Sequence, residues 1–284
     1  MREAKKPFKE ANNLITILDK IFGEVGDDRY PVNVKQVALE YSRTKFPQDY
    51  IKAIQGQNLP YFEGALYKKQ KNNESHWLMM YNDQVKLERI NFTLAHEFGH
   101  YLLHRDEKVK FECSDKDLLN FYDYTQREIE ANNFASQLLM PTHDFRKQIN
   151  DNEFNFELMD HCTNRYQVSL SAAMLKWIEF TSKRAMMVVS RDGFILWTRS
   201  STPAFKSGVY IKTVNNPPVQ IPEKSLANQR SNLHTSKVEY QHSAGVWWKD
   251  ESVQELTVFS KKFDIILTLL LFSDEASNKF MRVE

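Results

Sequence analysis

Cysteine is scarce in this chain. Cys113 and Cys162 are the only two, and neither belongs to a C-x-x-C pair, which excludes a thiolate metal site and a dithiol redox motif. They read as two free thiols in a reducing compartment. Long apolar runs are lacking too: the longest, Phe263–Phe272, is interrupted by Asp264 and falls well short of the ~20 residues a membrane-spanning helix needs. It reads as a buried strand or a short core helix. The N-terminal MREAKKPFKEANN carries positive charge with no apolar stretch behind it, which argues against a secretory signal and sets cytoplasmic residence as the expectation. Nor does either charge dominate. The 38 Lys and Arg offset 37 Asp and Glu to a net +1, so the balance demands neither nucleic acid nor an anionic membrane as partner. Internal repeats and low-complexity tracts are absent.

What the chain has is apolar content, 42% over 284 residues, enough for one large core or two smaller ones. Leu14, Ile15, Leu18, Ile21 and Phe22 recur at helical spacing up to Gly23, and Val34, Val37, Ala38 and Tyr41 mark a second helix after Pro31. Between Leu59 and Leu87, PYFEGALYKKQ and SHWLMMYND are rich in aromatic and branched residues and predict two or three antiparallel strands around the polar stretch Lys69–Ser75. One helix is predicted over Arg89–His104, with Leu94, Phe98, Tyr101 and Leu102 as its apolar stripe. Gly99, a weak helix former inside it, fits a place where another element comes close. After a charged connection, Arg105–Asp117, a second long helix is predicted around Gln126–Met140, stopped by Pro141. The stretch Glu157–Phe180 has a helix-turn-helix outline with Ser169 or Ser171 as an N-cap. Beyond Lys183 the character turns strand-like in AMMVVS, GFILWT, GVYIKTV, SAGVWWKD, VQELTVF and FDIILTLLLF, around a poorly hydrophobic stretch Asn215–Lys237. A boundary is expected near Ser182–Ala185.

The chemistry concentrates in HEFGH. His96 and His100 are four apart on a predicted helix and project from one face, so both imidazoles can reach one metal. Zinc takes neutral imidazole nitrogen readily, and a catalytic site pairs three protein ligands with an open position. Glu97, off the ligand direction, is placed to act as general base toward a water whose pKa the metal lowers. A third ligand is required. His104 continues the series, but on a straight helix it lies about 12 Å from His96, too far for one ion; it reads as a support for the ligands or as substrate-facing, and Asn132 is placed in the same role. The following helix offers Glu128 and Glu130 in QREIEANNFASQLLMP. Its packed face runs through Ala131, Phe134, Ala135, Leu138 and Leu139, and the small alanines allow close approach to the histidine helix. Glu128 lies on that face and is favoured as the third ligand; Glu130, turned away, is the alternative.

The run RINFTLAHEFGHYLLH followed by EIEANNFASQLLMP resembles the ImmA/IrrE family of bacterial and phage metallo-endopeptidases, with similarity over Ala11–Phe180. The resemblance implies a mainly helical zincin-like peptidase domain with a small antiparallel sheet over residues 1–182, including the helix-turn-helix-like segment 157–180; with the strand-like residues 183–284 read as a β-rich C-terminal domain, the chain is expected to be α+β. It also implies Zn2+ held by His96, His100 and Glu128, with Glu97 as catalytic base. The implied partner is a helix-turn-helix transcriptional repressor, cut to relieve repression of stress or mobile-element genes. The chain departs from a common arrangement in having no evident DNA-binding domain ahead of the peptidase, and the tail after Ser182 matches no motif. Two other readings compete: a DNA-binding or partner-binding regulator with a structural or vestigial metal site, and a zinc hydrolase of non-peptide amides. For a peptide substrate, docking is expected beside an edge strand, Tyr61–Lys68 or His76–Tyr81.

Overall fold

Pro7 suits a first helical position, where its fixed φ is preorganised and its missing N–H costs nothing, and it opens helix α1 (Pro7–Phe22). Gly23, at φ 76°, ends it. Ala11, Leu14, Ile15 and Leu18 form the buried stripe, while Ile21 and Phe22 are exposed. Helix α2 (Val34–Lys45) starts under a side-chain cap, Asn33 accepting from the Gln36 N–H at 3.2 Å.

The computed structural model describes residues 6–23, 29–71, 74–113, 125–149, 154–232, 237–260 and 264–273. Residues 114–117 of the charged connection, 72–73 of the polar turn, 233–236 and Phe263 lie outside them. Two units are distinguished, Met1–Ala172 and Ala173–Glu284, the division falling inside a helix. Mixed α+β architecture follows, with eight α-helices and two sheets among the described residues. None of those helices is long and apolar enough to cross a membrane.

In the first unit the sheet order is β1 (Ile51–Gln57), β3 (Glu74–Asn82), β2 (Gly64–Lys71), β4 (Lys110–Cys113). The expectation of an antiparallel sheet is corrected: β1 runs parallel to β3, and only β2–β3 and β2–β4 are antiparallel. IKAIQGQ, poor in branched and aromatic residues, carries little strand signal of its own. With β1 and β4 at the edges, β3 is interior, and β2 is covered over Gly64–Tyr67. The expected docking edges are therefore already paired.

Helix α3 (Leu87–His104) is buried on every side from Thr93 to His104 because it is packed between layers. Tyr101 meets Trp77 of β3 edge to face at 6.0 Å, and Phe98 meets Phe134 of α4 (Gln126–Leu139) at 5.8 Å. Gly99 permits this: a Cβ there would stand 3.1 Å from Phe134 Cδ1 and 3.2 Å from the Ala131 Cα. Helices α5 (Thr142–Ile149) and α6 (Phe156–Tyr166) follow. Asn155 caps α6, Gln167 ends it in the left-handed region, and the Ser169 hydroxyl accepts from the Ala172 N–H at 3.2 Å to start α7 (Leu170–Phe180).

The second unit is built on an antiparallel sheet, ordered β7 (Val219–Gln220), β6 (Phe194–Ser200), β5 (Ala185–Arg191), β10 (Ile265–Phe272), β9 (Val253–Ser260), β8 (Lys237–His242). The long apolar run is a strand, β10, buried at almost every position. Two expected strands are not strands. GVYIKTV is held alongside β6 by side chains instead of a ladder, Thr198 and Ser200 hydroxyls donating to the Ile211 and Val209 carbonyls. SAGVWWKD turns at Gly245, φ 95°, whose N–H donates to the Trp248 carbonyl at 2.7 Å. A short helix, α8 (Thr202–Lys206), joins this unit's core through Ala204, beside Met186, Val188, Trp247 and Leu270.

Candidate metal centre

Residues 96, 100 and 104 recur every fourth place on α3 and form one row, while 128 and 132 do the same on α4. The close crossing at Gly99 and Ala131 brings these rows together. His96 Nε2 lies 3.1 Å from Glu128 Oε2, His100 Nε2 lies 3.3 Å from Glu128 Oε1, and the two Nε2 atoms are 3.0 Å apart. Among the described residues, His96, His100 and Glu128 are a group whose ligand atoms all lie within 4.8 Å of one another. A tetrahedral ion with bonds of ~2.0 Å sets its ligand atoms about 3.3 Å apart. The donor set therefore fits zinc in kind and in spacing.

Each imidazole is also held from behind. His96 Nδ1 donates to Asn132 Oδ1 at 2.9 Å, which orients Nε2 toward Glu128. His100 Nδ1 faces His104 Nδ1 at 3.1 Å, and His104 Nε2 meets Glu130 Oε2 at 2.9 Å. Phe111 of β4 stacks on the His100 ring, centroids 4.6 Å apart and planes 19° apart. His104 is buried, 2% exposed, so it faces His100 and not the solvent side. Glu130 is turned to His104, and Glu128 alone of the two glutamates reaches both Nε2 atoms.

The electrostatics favour a neutral His100 beside an ionised Glu128 and pull His96 the other way. Burial drives the His100 pKa down to about 4, against a smaller upward pull from Glu128. Burial also disfavours charge on His96, but hydrogen bonding to Glu128 and the charges of Glu97 and Glu128 outweigh it and raise its pKa. Burial works against the Glu128 carboxylate too, yet its hydrogen bonds to His100 and His96 hold it well below the usual range.

Glu97 is fully buried against the start of β2, where a Cβ on Gly64 would stand 3.0 Å from Glu97 Oε1 and 3.1 Å from its Cγ. Glycine at 64 makes room for the carboxylate that follows His96. Phe111 and Gly64 belong to the site without announcing it in the sequence. Phe111 lies in a four-residue strand inside a charged stretch, and Gly64 precedes the motif by more than thirty residues, so neither carries a local signal.

A helix bearing HExxH, crossed by a second helix that adds a carboxylate, defines a protein with a His–His–Glu donor set of the kind that holds a divalent metal. Residues 58–177 match the IrrE N-terminal-like domain of the peptidase M78 family, so the chain carries a domain of the ImmA/IrrE family. No curated protein sequence matches the chain. Among solved structures it is similar to one titled "Mycobacterium tuberculosis transcriptional regulator", with a TM-score of 0.52 and 12% identity over 93% of this chain and 79% of that one. At that identity the likeness concerns the fold.

Proposed function

We propose that this chain is a zinc-dependent endopeptidase that makes limited cuts in a protein substrate, a helix-turn-helix transcriptional repressor, and so relieves repression of stress or mobile-element genes in the cytoplasm. The observation that carries the proposal is the His96–His100–Glu128 donor set with Glu97 beside it on the same helix. When bound, zinc supplies Lewis acidity that lowers a water's pKa toward neutrality and polarises a carbonyl. His96, His100 and Glu128 would hold it. Glu97 accepts the proton of the attacking water on its carboxylate and delivers it to the departing amine as the C–N bond breaks. Asn132 keeps His96 oriented. Residues 183–284 are proposed as a separate β-rich domain that adds a contact surface for the partner.

A DNA-reading role for 157–180 finds little support in its cations. Arg165 is bound to the Asp144 carboxylate through two nitrogens at 2.8 and 2.9 Å, and Lys176 is 2% exposed, so neither offers charge to a phosphate backbone. The test is to incubate zinc-loaded protein with repressors encoded beside it and to read intact masses. Two fragments summing to one repressor plus water, absent with Glu97→Gln, is the expected result; intact repressors throughout would refute the repressor as substrate.

A further inference from the structure

We propose that the gap beside the far end of β2, where β4 stops short, is a docking slot for an extended acidic segment of the protein substrate, added to the sheet as a short strand. The proposal deepens the reading of the chain as an endopeptidase and rests on it for the identity of the partner, but the slot is built from residues outside the His96–His100–Glu128 cluster.

The register makes the gap. β4 pairs with β2 from Cys113 opposite Gly64 to Lys110 opposite Tyr67, and the Lys68 N–H donates to the Val109 carbonyl at 2.8 Å. Continued onward, the same register would set residue 107 opposite Gln70. The chain does not reach that place: the Glu107 N–H donates to the His104 carbonyl at 2.9 Å, so residues 105–108 are still turning off the end of α3. β2 itself runs on to Lys71 against β3, with Lys69 opposite His76 and Gln70 opposite Ser75. Backbone groups point to alternate sides along a strand, so Gln70 presents its N–H and C=O on the side that Lys68 gives to Val109. Among the described residues no backbone partner meets them. The space beside them is a cavity of about 610 Å³ whose lining includes Lys68, Arg105, Lys108, Val109 and Lys110. An unpaired strand edge over such a space takes main chain by strand addition.

The charge of the lining selects the occupant. Lys68, Arg105, Lys108 and Lys110 stand around the gap against Asp106 and Glu107, and Glu107 is committed to Arg127 at 2.6 Å. Asp49 behind the gap serves two of the cations at once, 2.8 Å from Lys68 and 3.7 Å from Arg105. Lys110 meets Glu112 in a pair whose side chains are 60% and 47% exposed, a contact that water screens and an incoming carboxylate can replace. Lys108 has no acidic partner among the described residues. A segment opposite Gln70 lies in line with β4, four strand positions or ~14 Å from Phe111, whose ring stacks on His100. The slot therefore holds a part of the substrate some residues away from the bond that is cut.

The test is fluorescence anisotropy of the full-length protein with two short labelled peptides, one alternating Val and Glu, the other alternating Val and Lys. The Val–Glu peptide is expected to bind at least about 10-fold more tightly than the Val–Lys peptide, to weaken at about 0.2 M salt, and to lose binding when alternate backbone nitrogens are methylated, which blocks strand pairing and keeps the charge. Lys108 and Lys110 are both exposed, so Lys108→Glu with Lys110→Glu leaves the fold intact and is expected to weaken binding at least about 10-fold. No binding, equal binding of the two peptides, or binding undiminished by methylation or by the charge reversal overturns the slot. Dimerisation of the wild type in sedimentation, abolished by the same charge reversal, would give the slot to a second copy and overturn the proposal as well. If the zinc-loaded protein cuts no repressor while the Val–Glu peptide binds as expected, the proposed activity fails and the slot stands as a site for an acidic strand.

Discussion

Gly99 of α3 and Ala131 of α4 face each other so closely that a Cβ on Gly99 would stand 3.2 Å from the Ala131 Cα and 3.3 Å from its carbonyl oxygen. The His96–His100–Glu128 cluster depends on that proximity, since Glu128 rides one turn from Ala131. Gly99→Val adds a branched side chain where backbone, which cannot rotate aside, already limits the space. The expected cost is about 1–3 kcal/mol of stability from overpacking, read by urea denaturation. Zinc affinity should fall with it, because separating the helices withdraws Glu128 from both Nε2 atoms. Wild-type stability and affinity in Gly99→Val would show that the two helices can part without disturbing the site.

Binding and catalysis should separate between Glu97 and Glu128. Glu97→Gln preserves shape in a fully buried place and removes only the proton acceptor, so the protein should keep zinc while turnover drops by at least about 100-fold. Glu128→Ala removes the carboxylate that contacts both histidines, so zinc affinity should fall by several orders of magnitude in a competitive chelator titration. Turnover by Glu97→Gln at the wild-type rate would remove Glu97 from the mechanism.

Much of this centre was legible in the chain because its signals are local. The i, i+4 spacing of His96 and His100 needs only a helix, and Gly99 with Ala131 and Ala135 announces where two helices touch. Glu128 follows from the packed face of α4. The rest depends on pairings that no short window contains. His104 and Glu130 are 26 residues apart and meet only after α3 and α4 dock. Strands β1 and β4 have weak patterns of their own and form because β3 and β2 offer them unpaired edges, which is why the strands expected at the edge lie inside the sheet. In the second unit, GVYIKTV has strand composition, but its Val209 and Ile211 carbonyls are taken by β6 hydroxyls, so a strand-like pattern ends as a loop.

A pH dependence of stability is expected from Asp144. Burial alone would raise its pKa, but hydrogen bonds from Arg165 and from the Tyr166 hydroxyl, at 2.6 Å, hold it below the ordinary value. A depressed folded-state pKa contributes stability above the unfolded value, and that contribution is lost as pH falls through the folded value. Asp144→Asn should therefore cost roughly 1.5–3 kcal/mol near neutrality, and the gap between variant and wild type should shrink as the pH drops below about 4. Denaturant midpoints of both proteins across that range measure it. A gap that stays constant down to low pH would mean that packing, and not the carboxylate charge, is what Asp144 contributes.

The second unit has a buried acidic side chain of its own. Glu255 of β9 is completely buried and accepts five hydrogen bonds: from the Leu226 and Ala227 N–H groups at 3.0 Å, His242 Nε2 at 2.8 Å, Trp247 Nε1 at 2.7 Å and the Thr257 hydroxyl at 2.9 Å. The backbone donors belong to the start of the 3-10 segment Leu226–Asn232, where N–H groups have no partner within the turn. One carboxylate thereby ties that segment, the Trp247 loop and the sheet together. Glu255→Leu fills similar space but leaves these donors buried without an acceptor, at about 1–3 kcal/mol for each one that water cannot reach. Loss of cooperative unfolding of the second unit, followed by the fluorescence of its tryptophans, is the expected outcome. Glu255→Gln retains one acceptor oxygen and should fall between the two. Because Glu255 lies in a unit separate from the histidine helix, zinc binding by Glu255→Gln should match the wild type; a parallel loss of zinc would mean that the first unit cannot fold without the second.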